Sequence, residues 1–254
     1  MIIRPFNSVF NISASLMLAL LLGAYFAFRN KSEKTKKSFI VTIAVIDMLC
    51  FVVYKIALSR DAQFLALKEI EKFNWLDELP LQLCNINMFL IPIGVLTGSR
   101  ALMGFSYITA PLGALLAIVL PDPSFVGFSI FLPRILGYYI THMLVFCCGV
   151  WLALLGFYKP KISDMPRVFI ALILVSFGAH CVNLIFRATG LCTFANYFYT
   201  FGADISLLNL FWSWIPIPYL FELPAMVILL IYMAFQIGLF ALIDKVRKKK
   251  AVTV

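Results

Sequence analysis

Charged residues are scarce in this chain. They make up 13% of its 254 residues, whereas a soluble domain carries roughly 25%. Hydrophobic residues make up 63%, and the mean hydropathy is +0.97. This composition excludes a water-soluble enzyme and a disordered protein. At about 20 apolar residues for each crossing of a bilayer, the chain has room for about seven membrane-spanning helices.

Motifs for metals, nucleotides and common nucleophiles are also lacking. The six cysteines form no CxxC pair, which argues against a zinc ribbon or a disulfide framework. The chain has no GxSxG, no His-x4-Asp box, no GxGxxG and no phosphate loop, so no cofactor and no metal are expected. The net charge of +9 comes from basic residues between apolar runs. It therefore indicates contact with lipid headgroups and not with nucleic acid.

Seven apolar stretches predict an all-α, polytopic membrane bundle formed by a single domain, residues 1–254. Fourteen of the 21 basic residues fall in the segments on one side of the predicted spans and six on the other. Because cytoplasmic loops are enriched in Lys and Arg, we expect the N-terminus outside the cell membrane and the C-terminus in the cytoplasm. The predicted spans lie at about 9–28, 39–59, 80–97, 101–120, 135–157, 168–187 and 220–243.

Two of the predicted outer segments are long. Residues 60–79 space their apolar side chains as a helix does, which predicts an amphipathic helix on the outer surface. Residues 188–219 are rich in aromatics and predict a lid that folds back into the interface, with an ordinary aromatic belt as the alternative. The residues expected to form the lid or to bind substrate are Asn196, Tyr197, Trp212, Trp214 and, at the start of the last span, Glu222.

Ionisable groups inside the predicted spans are few, and such groups are functional candidates because burying them in lipid is costly. At 1.5 Å per residue, Cys84, His142 and His180 lie roughly 6–10 Å below the outer boundary, on three different spans. Asp47 falls in the inner half and is expected to stabilise helix packing or to hold a cytoplasmic loop, and Lys55 lies within the second span. Zinc held by the two histidines and Cys84 is an alternative that no local spacing supports.

A cysteine beside a histidine is the pair that thiolate catalysis needs. The histidine removes the thiol proton, and the thiolate attacks an ester or thioester carbonyl. The alternatives are that Cys84 is a small apolar packing residue and that His142 is a satisfied core residue. The polar residues expected to support the pair or to bind an oxyanion are Asn85, Asn87, Tyr139, His180 and Asn183.

Several segments resemble known membrane families. LPLQLC at residues 79–84 resembles the LPLxLC signature of the YwaF-type bacterial integral membrane family, as do NYF at 196–198 and WSW at 212–214. GYYITH at residues 137–142 resembles the YYIxH segment of the related transmembrane protein 164 family, which moves polyunsaturated acyl chains onto ether phospholipids. The resemblance covers about 39–243 and implies that Cys84 is the nucleophile and His142 the base. Gln82 departs from it, because YwaF-type sequences often have His there.

These observations predict a lipid acyltransferase, transacylase or acyl hydrolase whose substrate is a phospholipid or another lipid ester. Two other functions stay open. A small-solute or ion transporter or channel would line its path with Asp47, Lys55 and His180, and a non-catalytic lipid-binding protein would not depend on Cys84 for turnover. The sequence names no protein partner.

Overall fold

The computed structural model describes residues 1–202 and 205–252, and within them the chain folds into α-helices joined by short turns. One isolated bridge pairs Ile2 with Ser129. The prediction of an all-α bundle is therefore confirmed. The helices are α1 Ser8–Phe28, α2 Glu33–Ser59, α3 Ala62–Leu67, α4 Leu83–Thr97, α5 Arg100–Val119, α6 Pro133–Leu154, α7 Met165–Ala188, α8 Ser206–Trp214 and α9 Leu223–Val252.

Local capping explains where several helices begin. Side chains of Asn7, Ser32 and Ser99 accept hydrogen bonds from backbone N–H groups in the first turns of α1, α2 and α5, which otherwise lack partners. With Ser32 as its cap, α2 begins at Glu33 inside the basic segment, six residues before the start of the predicted span at residue 39. Gly98 adopts a left-handed conformation with φ 69°, and this conformation lets α4 turn directly into α5.

Six helices are long and apolar enough to cross a membrane: α1, α2, α5, α6, α7 with its preceding turn, and α9. The predicted third span is a shorter helix. α4 has 15 residues because the helix begins only at Leu83, after Gln82, whose backbone is extended (φ −72°, ψ 152°). At 1.5 Å per residue it is roughly 22 Å long, whereas the apolar core of a bilayer is roughly 30 Å thick.

The predicted amphipathic helix over residues 60–79 is wrong beyond its first turns. α3 ends at Leu67, and Glu69 has a left-handed backbone with φ 55°. Of its apolar side chains, Phe64 is buried whereas Leu67 is exposed. An ion pair between Lys68 and Asp122 (2.9 Å) ties the end of this helix to the connection between α5 and α6.

The centre of the bundle consists of α2, α4, α5 and α6, which pack against one another. α6 approaches its neighbours closely at two glycines. A Cβ atom at Gly137 would lie 2.5 Å from the Cβ of Tyr54 on α2, and one at Gly149 would lie 2.8 Å from Pro111 on α5. We call the end of the bundle where α2 finishes and α4 and α6 begin the Cys84 end.

Exposed apolar side chains cover the outer faces of the peripheral helices, as expected for surfaces in contact with lipid. Examples are Leu16 on α1, Leu174 on α7 and Ile231 on α9. The side chains of the basic cluster beyond Lys245 lie outside the described residues.

Candidate functional site

Cys84 lies in the first turn of α4 and is buried, with 9% of its surface exposed. The start of α4 packs on α5 at Gly113, where an added Cβ atom would lie 3.4 Å from the backbone nitrogen of Cys84. Its thiol donates to the Oδ1 atom of Asn85 at 3.5 Å. The backbone of Cys84 is thus packed closely against α5.

His142 lies on α6 and is equally buried, at 8% exposure. Its Nδ1 atom is 2.6 Å from the carbonyl oxygen of Tyr138, one helical turn earlier. Since a carbonyl only accepts hydrogen bonds, Nδ1 carries the proton and Nε2 is the lone-pair nitrogen of the neutral ring. The histidine is therefore held in the tautomer in which Nε2 can accept a proton.

The two residues occupy one region without touching. Among the described residues, no hydrogen bond joins Cys84 to His142. They share two neighbours, however. The ring of Tyr138 lies 4.3 Å from that of His142 and within electrostatic range of Cys84, and Lys55 is within electrostatic range of both. The helices that carry the three residues, α2, α4 and α6, pack against one another.

Lys55 is paired with an acid that the sequence analysis did not single out. Its Nζ atom bonds to the carboxylate of Glu78 in the loop before α4, and it lies over the rings of Tyr54 (4.6 Å) and Phe51 (5.2 Å). Only 10% of the Lys55 side chain is exposed. No signal local to either residue predicts this pair, because 23 residues separate them.

The loop at residues 195–202 covers this end of the bundle and is tied to the helix that carries Cys84. The side-chain oxygen of Gln82 accepts a hydrogen bond from the backbone nitrogen of Phe198 at 2.9 Å, and its amide nitrogen reaches the carbonyl of Asn196 at 3.4 Å. Gln82 is thus a structural link. YwaF-type sequences often have His at this position. The neutral amide of Gln82 suits the structural role because it can both donate and accept hydrogen bonds.

Most of the chain matches one known family. A family model described as the TMEM164 family covers residues 6–239. The chain belongs to the TMEM164 family. No curated protein matches the chain, and no solved structure matches it. The predicted relation to the transmembrane protein 164 family is thereby confirmed, and the YwaF-type resemblance is compatible with it.

Of the five polar residues expected to support the pair or to bind an oxyanion in this TMEM164 family member, three lie on α4 and α6: Asn85, Asn87 and Tyr139. Asn87 is fully buried and donates to the carbonyl of Leu83 (2.8 Å) and to Thr109 on α5 (3.0 Å). Asn85 accepts the thiol hydrogen of Cys84. The third, Tyr139, has a buried hydroxyl without a partner in the described part of the chain.

His180 and Asn183 on α7 contact the loop and not His142. Asn183 is fully buried and bonds to both the backbone nitrogen and the carbonyl of Tyr197, each at 2.9 Å. Thr200 receives a hydrogen bond from Asn183 (3.0 Å) and bonds to Nδ1 of His180 (2.9 Å). These contacts anchor the loop, and no hydrogen bond joins either residue to His142 in the part of the chain that the structure describes.

The aromatic segment before the last helix folds back against the bundle. Tyr197 is buried, and its hydroxyl donates to the carbonyl of Leu76. The Asn196 side chain bonds within the loop, to the backbone of Phe201 (3.0 Å) and of Gly202 (2.5 Å). This part of the segment forms the covering layer over the Cys84 end.

The remaining lid candidates lie on α8 and at the start of α9. Trp212 packs edge-on against Phe221 at 5.1 Å, whereas Trp214 is 60% exposed. Glu222 is buried, and its Oε1 atom has no hydrogen-bond partner within the described residues. The structure does not bring Trp214 into contact with Cys84 or His142.

Asp47 lies closer to the site than the sequence analysis expected. Its carboxylate is buried at 1% exposure and is within electrostatic range of Cys84. The depth of Asp47 relative to His142 can be counted from the contact between Tyr54 on α2 and Gly137 on α6. Asp47 lies seven residues before Tyr54 and His142 five residues after Gly137, so on these antiparallel helices their depths differ by about 3 Å.

Proposed function

We propose that this TMEM164 family member is a membrane enzyme that transfers or hydrolyses the acyl chain of a phospholipid or another lipid ester. Cys84 is the nucleophile and His142 the general base. The observation that carries the proposal is the tautomer of His142: with Nδ1 bonded to Tyr138, Nε2 is left to accept a proton in the region that contains the only thiol of the LPLQLC segment.

The reaction proceeds in two steps, acylation of Cys84 and transfer of the acyl group to an acceptor. His142 takes the proton of Cys84, and the thiolate attacks the ester carbonyl. The tetrahedral intermediate expels the alcohol oxygen, which leaves with the proton from Nε2, so that a thioester forms on Cys84. His142 then takes a proton from the acceptor hydroxyl, whose oxygen attacks the thioester carbonyl. The carbon–sulfur bond breaks, and the departing sulfur of Cys84 takes the proton from Nε2. The acceptor is a lipid hydroxyl in transfer and water in hydrolysis.

The separation of the two side chains is compatible with this chemistry, because catalytic hydrogen bonds are often loose before substrate binds. The apolar helix faces would hold the acyl chain, and the aromatic segment of residues 195–219 would admit the lipid from the side.

We further infer that the chain crosses the cell membrane seven times, with the N-terminus outside and the site in the outer leaflet. The support is the alternation of α1, α2, α4, α5, α6, α7 and α9 between the two ends of the bundle, together with the basic segments on one side. The short α4 would complete its crossing with the residues that precede it.

Acyl transfer to Cys84 can be tested by intact-protein mass spectrometry after incubation with phospholipid vesicles. We expect wild-type protein to gain a fatty-acyl mass that hydroxylamine removes, and Cys84→Ala to gain none. His142→Ala should slow acylation by roughly 10²- to 10⁴-fold. Cys181→Ala, which removes a half-buried thiol on α7, is the matched control and should be acylated like wild type.

Other results would favour the other functions. An unmodified thiol in wild type, with solute flux that depends on Asp47, would indicate a transporter or channel. An unmodified thiol with lipid bound equally by wild type and Cys84→Ala would indicate a non-catalytic lipid-binding protein.

A further inference from the structure

The loop of residues 195–202 contains two neighbouring residues in an unusual backbone conformation. Phe198 and Tyr199 have φ values of 57° and 60°, a left-handed region that residues with bulky side chains rarely adopt. Such conformations cost about 1–3 kcal/mol each, persist only when the surroundings enforce them and are concentrated at functional sites. The loop therefore holds Tyr199 in a backbone conformation that is unfavourable for an isolated tyrosine.

Hydrogen bonds from two helices enforce this conformation. Gln82, two residues before Cys84, binds the backbone nitrogen of Phe198. On the other side, Asn183 and His180 of α7 hold the residues that flank the strained pair. The position of Tyr199 is thus fixed relative to the start of α4 and hence relative to Cys84.

The hydroxyl of Tyr199 makes no hydrogen bond to any residue that the structure describes, although the residue is only partly exposed. It lies within electrostatic range of Cys84 and of two other phenols, Tyr54 and Tyr138. Burial, followed by the proximity of Cys84, raises the pKa of Tyr199. The phenol is therefore neutral near pH 7 and can donate a hydrogen bond.

We propose that Tyr199 is the hydrogen-bond donor to the oxyanion that forms when Cys84 attacks an ester carbonyl. The inference rests on the acyl-transfer function proposed above. As the thiolate adds to the carbonyl carbon, the carbonyl oxygen becomes negative and the Tyr199 O–H donates to it. When the intermediate collapses, the carbonyl re-forms, the alcohol leaves with the proton of His142, and Tyr199 keeps its own proton.

Two other polar residues near Cys84 already use their donors. The Asn87 amide is engaged by Leu83 and Thr109, and the hydroxyl of Tyr138 donates to the carbonyl of Ala117 at 2.7 Å. Tyr54 has no hydroxyl partner among the described residues either, but its ring is engaged by the cation of Lys55. Tyr199 is on the covering loop and combines a free hydroxyl with an enforced position.

The test compares two reactions of the same thiol. Acylation of Cys84 by a lipid ester passes through an oxyanion, whereas alkylation by iodoacetamide is a displacement without one. We expect Tyr199→Phe, which keeps the ring, to lower the rate constant of acylation by roughly 10²- to 10³-fold. The concentration dependence of acylation and the rate of alkylation should match wild type.

Two variants serve as comparisons. Tyr107→Phe removes a buried phenol hydroxyl that contacts the carbonyl of Gln236 on α9, away from Cys84, and should acylate like wild type. Tyr54→Phe should also retain most of the rate. A larger loss in Tyr54→Phe than in Tyr199→Phe would overturn the assignment.

Three further results would overturn the proposal. Unchanged acylation in Tyr199→Phe would remove the oxyanion role while leaving the acyl-transfer function intact. An equal fall in acylation and alkylation would mean that Tyr199 supports the thiol and not the oxyanion. No acylation of wild-type Cys84 would overturn the acyl-transfer function and this inference with it.

Discussion

Lys55 and Glu78 form an ion pair at the edge of the site, from a spanning helix and from the loop before α4. The cation has two aromatic faces beside it, and cation–π contacts strengthen as water is excluded. A charge buried in a spanning helix needs such a partner, because lipid offers none. The pair therefore explains why a lysine is tolerated inside the predicted second span.

Removing one partner of this ion pair should destabilise the protein more than removing both. In Lys55→Met, Glu78 loses its partner while its side chain is only 22% exposed. We expect a loss near the lower end of the roughly 3–5 kcal/mol that an unpaired buried charge costs. The double variant Lys55→Met/Glu78→Leu should recover most of it. Thermal unfolding in detergent micelles measures the stability of the single and the double variant.

The exposed pair of Lys37 with Glu33 (3.0 Å) provides the control, since such pairs contribute about 0–1 kcal/mol. Lys37→Met should unfold close to the wild-type temperature. If the single and double variants at Lys55 were equally unstable, the ion pair would not be what stabilises this region.

At the scale of elements, two glycines allow α6 to lie against α2 and α5. The close contact at Gly137 sets the depth of Tyr138 and His142 relative to Tyr54. Because the opposing atom is a Cβ, which cannot rotate away, a side chain at this position must move one helix.

Gly137→Ala should therefore destabilise the protein by roughly 1–3 kcal/mol, the usual cost of overpacking, and slow the acylation of Cys84. Gly178→Ala is the matched control on α7, where nothing lies within 4 Å of the added atom. Alanine there should be neutral or stabilise the helix by up to roughly 1 kcal/mol. The melting temperatures of the two variants compare these effects, and an unchanged value for Gly137→Ala would contradict the close packing.

At the scale of the whole molecule, the open question is whether α4 crosses the membrane. The loop of residues 29–32 and the loop of residues 157–161 are separated by α2, α4, α5 and α6. If α4 spans, the two loops lie on the same side, because four crossings separate them. If it does not, three crossings place them on opposite sides.

Alkaline phosphatase fusions after residue 30 and after residue 160 distinguish these cases, because the enzyme is active only outside the cytoplasm. We expect both fusions to be inactive. A fusion within residues 68–79, after α2, should be active whether or not α4 spans and provides the positive control. Activity after residue 160 but not after residue 30 would indicate six spans.

Much of the architecture follows from the sequence, because lipid imposes strong rules on composition. Apolar runs identified all seven long helices, and only the ends differ, by a few residues at α4 and more where the Ser32 cap begins α2 early and α9 continues to Val252. The helix predicted over residues 60–79 was wrong because a helical spacing of apolar residues does not prevent a left-handed turn at Glu69.

The sequence by itself determined the membrane class, the order of the helices and the choice of Cys84 and His142, through hydropathy, depth and the LPLQLC and GYYITH segments. Only the tertiary structure decided which side chains meet. The link from Gln82 to Phe198, the pair of Lys55 with Glu78 and the position of Tyr199 all join residues 23 or more positions apart. Such contacts depend on how helices pack and loops fold back, and no local pattern encodes them.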